Sequence, residues 1–258
     1  MKKINKGAEP QTLTDYRSMN PDDDWKKGFK KNAGQQPNQD VREYLVKEQK
    51  GLCVYCEIDL KDGGGQALHD FRVEHFYPEN PSQTDKRNDG VNYALLWNNM
   101  FGCCTGGNAQ SVTESEFRYT NPDFSCDVNK GNHDWTDELL NPLTDIPPFP
   151  PIFDFNEDGE VSVSINCPEE IKHKSEKTIE LLGLDSERLR RFRKAIIEDL
   201  NQKLQEYDDD NLDDAMIELA STYLLEDDQG LYASFFSTIR WYLADAAEKV
   251  LEDNNYNG

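Results

Sequence analysis

The sequence predicts an α+β chain in which a cysteine-bearing mixed half is followed by a mainly α-helical half. Three observations carry this. Pro142, Pro147, Pro148, Pro150 and Pro151 crowd a stretch that excludes both helix and central strand and marks a boundary. Asn156-Glu-Asp-Gly159, between Ile152-Phe-Asp-Phe and Glu160-Val-Ser-Val-Ser-Ile165, is a hairpin signature. Beyond Pro168 the apolar residues recur at helical spacing to the end.

Residues 1–40 are polar, hold Pro10, Pro21, Pro37 and the pairs Lys26-Lys27 and Lys30-Lys31, and read as an extended N-terminal arm. A helix is expected from about Val41 to Lys50, stopped by Gly51. Gly63-Gly64-Gly65 is a turn between short extended pieces, and Asn92 to Phe101 reads as a short helix. The mixed domain is therefore placed at 41–150 and the hairpin plus helices at 151–258. In that later region Ile171, Ile179, Leu181 and Leu182 define a helix ending at Gly183, and Ser186 caps the next, which runs through Leu204. Two more amphipathic segments follow, Leu212 to Leu225 and Leu231 to Leu251.

The chain has 258 residues with 36% hydrophobic side chains, enough to bury a core. Its net charge is −22, of which residues 1–135 contribute −4 and residues 136–258 contribute −18. Such a balance excludes tight, unaided binding to phosphate backbones, so chemistry on nucleic acid needs a metal or a partner. No apolar run is long enough for a bilayer span, and the Met-Lys-Lys start lacks a signal-peptide core; the expected compartment is the cytoplasm. There six cysteines favour metal ligation or burial over disulfides.

Cys53-x-x-Cys56 has the spacing of a zinc knuckle, which presents two thiolates to one tetrahedral ion and needs a second pair to close. Cys103, Cys104 and Cys126 are the candidates for that pair. Between the halves lies Val73-Glu74-His75-Phe76-Tyr77-Pro78. Adjacent strand residues face opposite ways, so a bend after His75 lets the carboxylate take a hard divalent metal while the imidazole acts as general base. Trp97-Asn98-Asn99 and Cys126-Asp127-Val-Asn-Lys130-Gly131-Asn132 complete the series.

In this order the motifs resemble HNH endonucleases of the zinc-stapled ββα-metal type over about 51–135. Within that superfamily the chain is most similar to the HNH subunit (PtuB) of Septu-type and retron-associated antiphage systems. The cues are Ile4-Asn-Lys6-Gly-Ala-Glu-Pro10-Gln-Thr-Leu13 and Tyr16, Tyr55-Cys56-Glu57, Glu74-His75-Phe76, and Phe235-Phe-Ser-Thr-Ile239-Arg-Trp-Tyr242-Leu. The resemblance implies a ββα-metal nuclease domain followed by a mainly α-helical region that docks a partner. It implies His75 as general base, Glu74 and Asp127 as ligands of a catalytic Mg²⁺ or Mn²⁺, Asn99 as the middle signature residue, and Lys130 as a phosphate contact. Structural Zn²⁺ would sit on Cys53, Cys56, Cys104 and Cys126. Implied partners are an ATPase subunit (PtuA-like), a DNA or tRNA substrate and, in retron-associated relatives, a reverse transcriptase with its non-coding DNA.

Two departures from the family pattern stand out. Thr105 to Ser125 separates the last two zinc cysteines and reads as an insertion. The third signature position, usually His or Asn, is Asp127, with Asn132 and His133 as competitors for the role. Asn99 over Asn98, and Cys104 over Cys103, satisfy the Trp-x-Asn and Asn-to-Cys spacings together. Other readings stay open. One is a catalytically inactive, zinc-stapled adaptor or regulator; another is a free-standing homing or restriction nuclease, against which the charge argues. Cys167 reads as a structural thiol and His69 and His173 as surface residues. The acidic runs at 208–214 and 226–228 lack EF-hand spacing and read as solvated loops or a surface for a basic partner.

Overall fold

The computed structural model describes residues 1–68, 70–108 and 124–256, so His69 and most of the Thr105–Ser125 insertion lie outside the described residues. The first elements are helices α1 (Gln11–Met19) and α2 (Gln36–Glu48), then strand β1 (Arg72–His75), strand β2 (Met100–Cys103) and the one-turn helix α3 (Asp127–Lys130). Strands β3 (Phe153–Phe155) and β4 (Val161–Val163) follow, then helices α4 (Glu169–Leu181), α5 (Glu187–Leu204), α6 (Leu212–Leu224) and α7 (Phe236–Asp253). The chain is thus mixed helix and small sheet, with a helical C-terminal region. Among the described residues no helix is long and apolar enough to cross a membrane.

Among the described residues the sheets are two antiparallel pairs. β1 pairs with β2 in the register Glu74↔Phe101 and His75↔Met100, and β3 pairs with β4 with Phe153 opposite Val163. Asn156 closes the second hairpin through its side chain, accepting from the Asp158 and Glu160 amides. Gly159 in that turn has φ +78°, and a Cβ there would meet the Arg190 carbonyl oxygen at 2.1 Å, so the turn seats on α5 only with glycine.

Several sequence expectations differ from what is observed. The first 40 residues are not an extended arm. Leu13, Tyr16, Trp25 and Phe29 are buried in a core with Val41, Leu45, Leu95, Trp97 and Met100. Their irregular spacing hid this, because α1 and the 3₁₀ turn at Phe29–Gln35 are too short to impose a period. Residues 92–101 form 3₁₀ turns at Tyr93–Leu95 and Trp97–Asn99 followed by β2; Leu96, extended at ψ 114°, breaks any continuous helix. The Pro-rich segment does not divide the apolar interior, since one cluster holds Tyr55 and Phe101 together with Ile152, Leu182 and Phe235. Ser186 stands at the start of α5, but its side chain makes no cap; its hydroxyl is buried and finds no hydrogen-bond partner among the described residues.

A second core joins Leu200 of α5, Leu219 and Leu224 of α6, and Ile239, Leu243 and Leu251 of α7, the apolar faces that the helical spacing outlined.

Candidate active site and metal centre

The cysteine cluster is built from three separate pieces of chain. The knuckle Cys53–Cys56 is held to β2 by the Val54 amide on the Gly102 carbonyl (3.0 Å). Cys104 leaves β2 with its amide on Cys53 Sγ (3.3 Å). Cys126 enters from α3 with φ +59°, and its amide donates to the Leu182 carbonyl at the end of α4 (2.8 Å). The ligand atoms of Cys53, Cys56, Cys104 and Cys126 all lie within 4.8 Å of one another. Cys56 and Cys104 are 3.6 Å apart, and Cys104 and Cys126 3.9 Å.

A tetrahedron with Zn–S bonds of about 2.3 Å has edges of about 3.8 Å. The four thiols therefore fit a zinc ion. Cys103 stays outside the foursome, although its sulfur is 3.9 Å from Cys53. All six cysteines are free thiols. Hydrogen bonds from Cys103 and Cys126 push Cys104 down to about 5, while burial and thiol neighbours push Cys126 well up.

Glu74 and His75 end β1 and are 3% and 6% exposed. Glu74 Oε1 accepts from Lys130 Nζ (2.9 Å) and Tyr55 Oη (3.2 Å). Burial pushes the Glu74 carboxyl up and Asp127 adds to this, while Lys130 pulls it down and favours the carboxylate form. Asp127 starts α3 and takes a 2.9 Å ion pair from Arg72 of β1, two residues before Glu74 and on the same face of that strand. Two carboxylates from different elements thus gather along β1. Oxygen donors of this kind suit Mg²⁺ or Mn²⁺.

His75 Nε2 lies 3.1 Å from the Ala94 carbonyl oxygen. A carbonyl only accepts, so Nε2 carries the proton and Nδ1 keeps its lone pair. Burial lowers the imidazole to about 4, partly offset by the Ala94 carbonyl, so the ring is neutral at neutral pH. Trp25 packs edge-on to it at 5.6 Å between centroids.

Asn99 braces the loop after β1. Its Oδ1 accepts from the Tyr77 amide (2.7 Å), and its Nδ2 donates to the Tyr77 and Tyr93 carbonyls (2.9 Å each). Lys130, expected at the surface as a phosphate contact, is instead fully buried, donating to Glu74 and to the His75 carbonyl oxygen (2.9 Å). A lysine at the end of a one-turn helix gives no hint of burial in sequence. His133, the competitor for the third position, is exposed and stacks on Trp135.

Sequence reasoning missed four participants. Tyr55 sits inside a quoted motif and Arg72 just before one, but neither carries a signature of its own. Lys6 donates to the Trp97 and Met100 carbonyls over the Trp97 ring at 4.2 Å, and burial lowers it to about 7. Gly183, at φ +59°, lies so close that a Cβ would come 2.6 Å from Asn129 Nδ2 and 2.8 Å from the Phe124 carbonyl oxygen, which fixes α4 against α3.

No family model matches the chain. The chain is 30% identical over 226 residues to an Escherichia coli protein named "Retron Ec83 putative HNH endonuclease". That alignment covers 80% of this chain and 83% of the relative.

Proposed function

The chain belongs to the HNH endonuclease family in its retron-associated form, and from that premise we propose that it is a metal-dependent nuclease hydrolysing phosphodiester bonds of DNA or tRNA in an antiphage complex. What supports the reading is Glu74 beside His75 at the end of β1, with Asp127 ion-paired to Arg72 of the same strand and the His75 tautomer set by Ala94. Glu74 and Asp127 would hold Mg²⁺ or Mn²⁺, which supplies Lewis-acid stabilisation of charge on the scissile phosphate and the leaving oxygen. His75 takes the proton of the attacking water at Nδ1, and its Nε2–H bond to Ala94 stabilises the resulting imidazolium. Asn99 keeps the loop that carries Tyr77 against the 93–99 turns, and so holds the base in place.

Zn²⁺ on Cys53, Cys56, Cys104 and Cys126 supplies the staple that keeps both carboxylates in register. The helical region, which bears most of the −22 charge, docks a PtuA-like ATPase subunit, with a reverse transcriptase and its non-coding DNA as further members in a retron context. The complex is placed in the cytoplasm, and partners bring the positive charge that this chain lacks for substrate binding.

One observation favours a second reading, an inactive adaptor. Both carboxylates already have internal cations, Lys130 and Arg72, and His75 is buried. The test is cleavage of DNA and tRNA by the purified complex with and without Mg²⁺ or Mn²⁺, beside His75→Ala. Metal-dependent cutting, reduced about 10²-fold or more in His75→Ala with zinc content unchanged, is expected. Equal cutting by the variant overturns the mechanism. Absence of cutting by the wild type favours the adaptor.

A further inference from the structure

The cysteine cluster and the carboxylate pair are separated by very little chain. Tyr55 lies inside the knuckle, between Cys53 and Cys56, and is 1% exposed. Its hydroxyl is 3.2 Å from Glu74 Oε1, the oxygen that Lys130 also holds. On the other side Asp127 directly follows Cys126, whose backbone is fixed by the Leu182 carbonyl. Glu74 is therefore linked to the cluster through its hydrogen bond with Tyr55, the residue before Cys56, and Asp127 through its peptide bond with Cys126.

A buried carboxylate with one oxygen tied by two donors has lost its freedom to rotate, and its other oxygen is the one left for a ligand. The phenol is the portion of that tie that belongs to the knuckle. Its position follows from the metal-gathering geometry of Cys53 and Cys56, since the Val54 amide and Cys53 Sγ lock the same turn to β2 and Cys104.

We infer that Tyr55 is a positioning residue that orients Glu74 for its divalent metal and thereby couples occupancy of the cysteine cluster to affinity at the carboxylate pair. The inference rests on the reading of Glu74 as a ligand of that metal. Coupling of this kind is reciprocal: whatever the zinc staple does for the carboxylate site, metal at the carboxylates does for the staple. Tyr55→Phe removes one oxygen atom and keeps the ring that fills the core.

The experiment uses the full zinc-loaded chain and Mn²⁺ as probe, with free Mn²⁺ followed by electron paramagnetic resonance in wild type, Tyr55→Phe and Glu74→Gln. Tyr55→Phe is expected to weaken Mn²⁺ binding roughly tenfold, in line with loss of a hydrogen bond to a charged group, while zinc content stays at wild-type level. Glu74→Gln is expected to abolish binding. A second readout places Co²⁺ in the cysteine cluster. Saturating Mg²⁺ is expected to shift its absorption in wild type and not in Tyr55→Phe. Wild-type Mn²⁺ affinity in Tyr55→Phe beside lost binding in Glu74→Gln overturns the coupling and leaves Glu74 as a ligand. Undiminished binding in Glu74→Gln overturns both. If Tyr55→Phe loses its zinc, the wild-type Co²⁺ spectrum decides, and a band unmoved by Mg²⁺ overturns the coupling.

Discussion

The Lys130 ammonium lies 2.9 Å from Glu74 Oε1 and 2.9 Å from the His75 carbonyl oxygen, so one buried cation grips the side chain of the first residue and the backbone of the second. Removing one partner of a buried ion pair leaves the other without its charge complement, a loss of about 3 kcal/mol. Lys130→Met is therefore expected to lower the free energy of unfolding by about that amount, read from urea titrations near neutral pH. A midpoint and slope equal to wild type would show that the pair contributes nothing net.

The two neighbouring cysteines differ in place, and so they differ in consequence. Cys104 belongs to the foursome, whereas Cys103 is only a neighbour of Cys53. Cys104→Ser is expected to lose the bound zinc and Cys103→Ser to keep it, as counted by elemental analysis of purified protein. Zinc lost from both variants, or from neither, would contradict this assignment.

Asn99→Ala removes three hydrogen bonds and strands the Tyr77 amide in a buried loop. An unsatisfied buried group costs about 1–3 kcal/mol. Asn99→Asp keeps the acceptor for the Tyr77 amide but gives up both donated bonds. Thermal unfolding is expected to rank wild type above Asp and Asp above Ala. An alanine variant as stable as wild type would remove Asn99 from its bracing role.

Asp145 supplies a pH dependence of known sign. Burial pushes its carboxyl up, but the Asn141 amide (3.0 Å), the Thr144 hydroxyl (2.7 Å) and Lys174 (3.1 Å) hold it below the ordinary aspartate value. A carboxyl depressed in the folded state adds stability that is present above its unfolded value of about 3.9 and fades as pH falls through the folded value. Wild type is expected to lose stability below about pH 4 more steeply than Asp145→Asn, with the difference measured by urea unfolding at pH 7, 4 and 3. Parallel losses would rule Asp145 out as the source.

What was legible in the sequence was what repeats or what has a fixed spacing. The hairpin around Asn156 and helices α4 to α6 follow from turn chemistry and apolar period, and the knuckle pattern marks Cys53 and Cys56, whereas the choice of Cys104 over Cys103 comes from the family resemblance. Helix α7 starts five residues later than expected, since Leu231–Phe235 ties back to either side of the cysteine knuckle through the Tyr232 amide on the Lys50 carbonyl and the Phe235 amide on the Glu57 carbonyl. The N-terminal core was illegible because Leu13, Tyr16, Trp25 and Phe29 find their partners some seventy residues downstream, and spacing reports only local neighbours. Lys130 misled for a related reason. Lysine is almost never fully buried unless paired, and the pair, Glu74, is remote in sequence.

The Leu182 carbonyl, which receives the Cys126 amide, and Gly183, which leaves room for Asn129, both belong to the helical half. Arg188 of the same half donates to the Ser125 hydroxyl at 2.7 Å, immediately before the last cluster cysteine. The cysteine-bearing half of this chain is therefore no portable cassette. A cut at the prolines would leave a fragment carrying every signature residue and lacking the wall against which the last cysteine and Asp127 are cast, so fusions built on this scaffold have to carry α4 and the start of α5 with them.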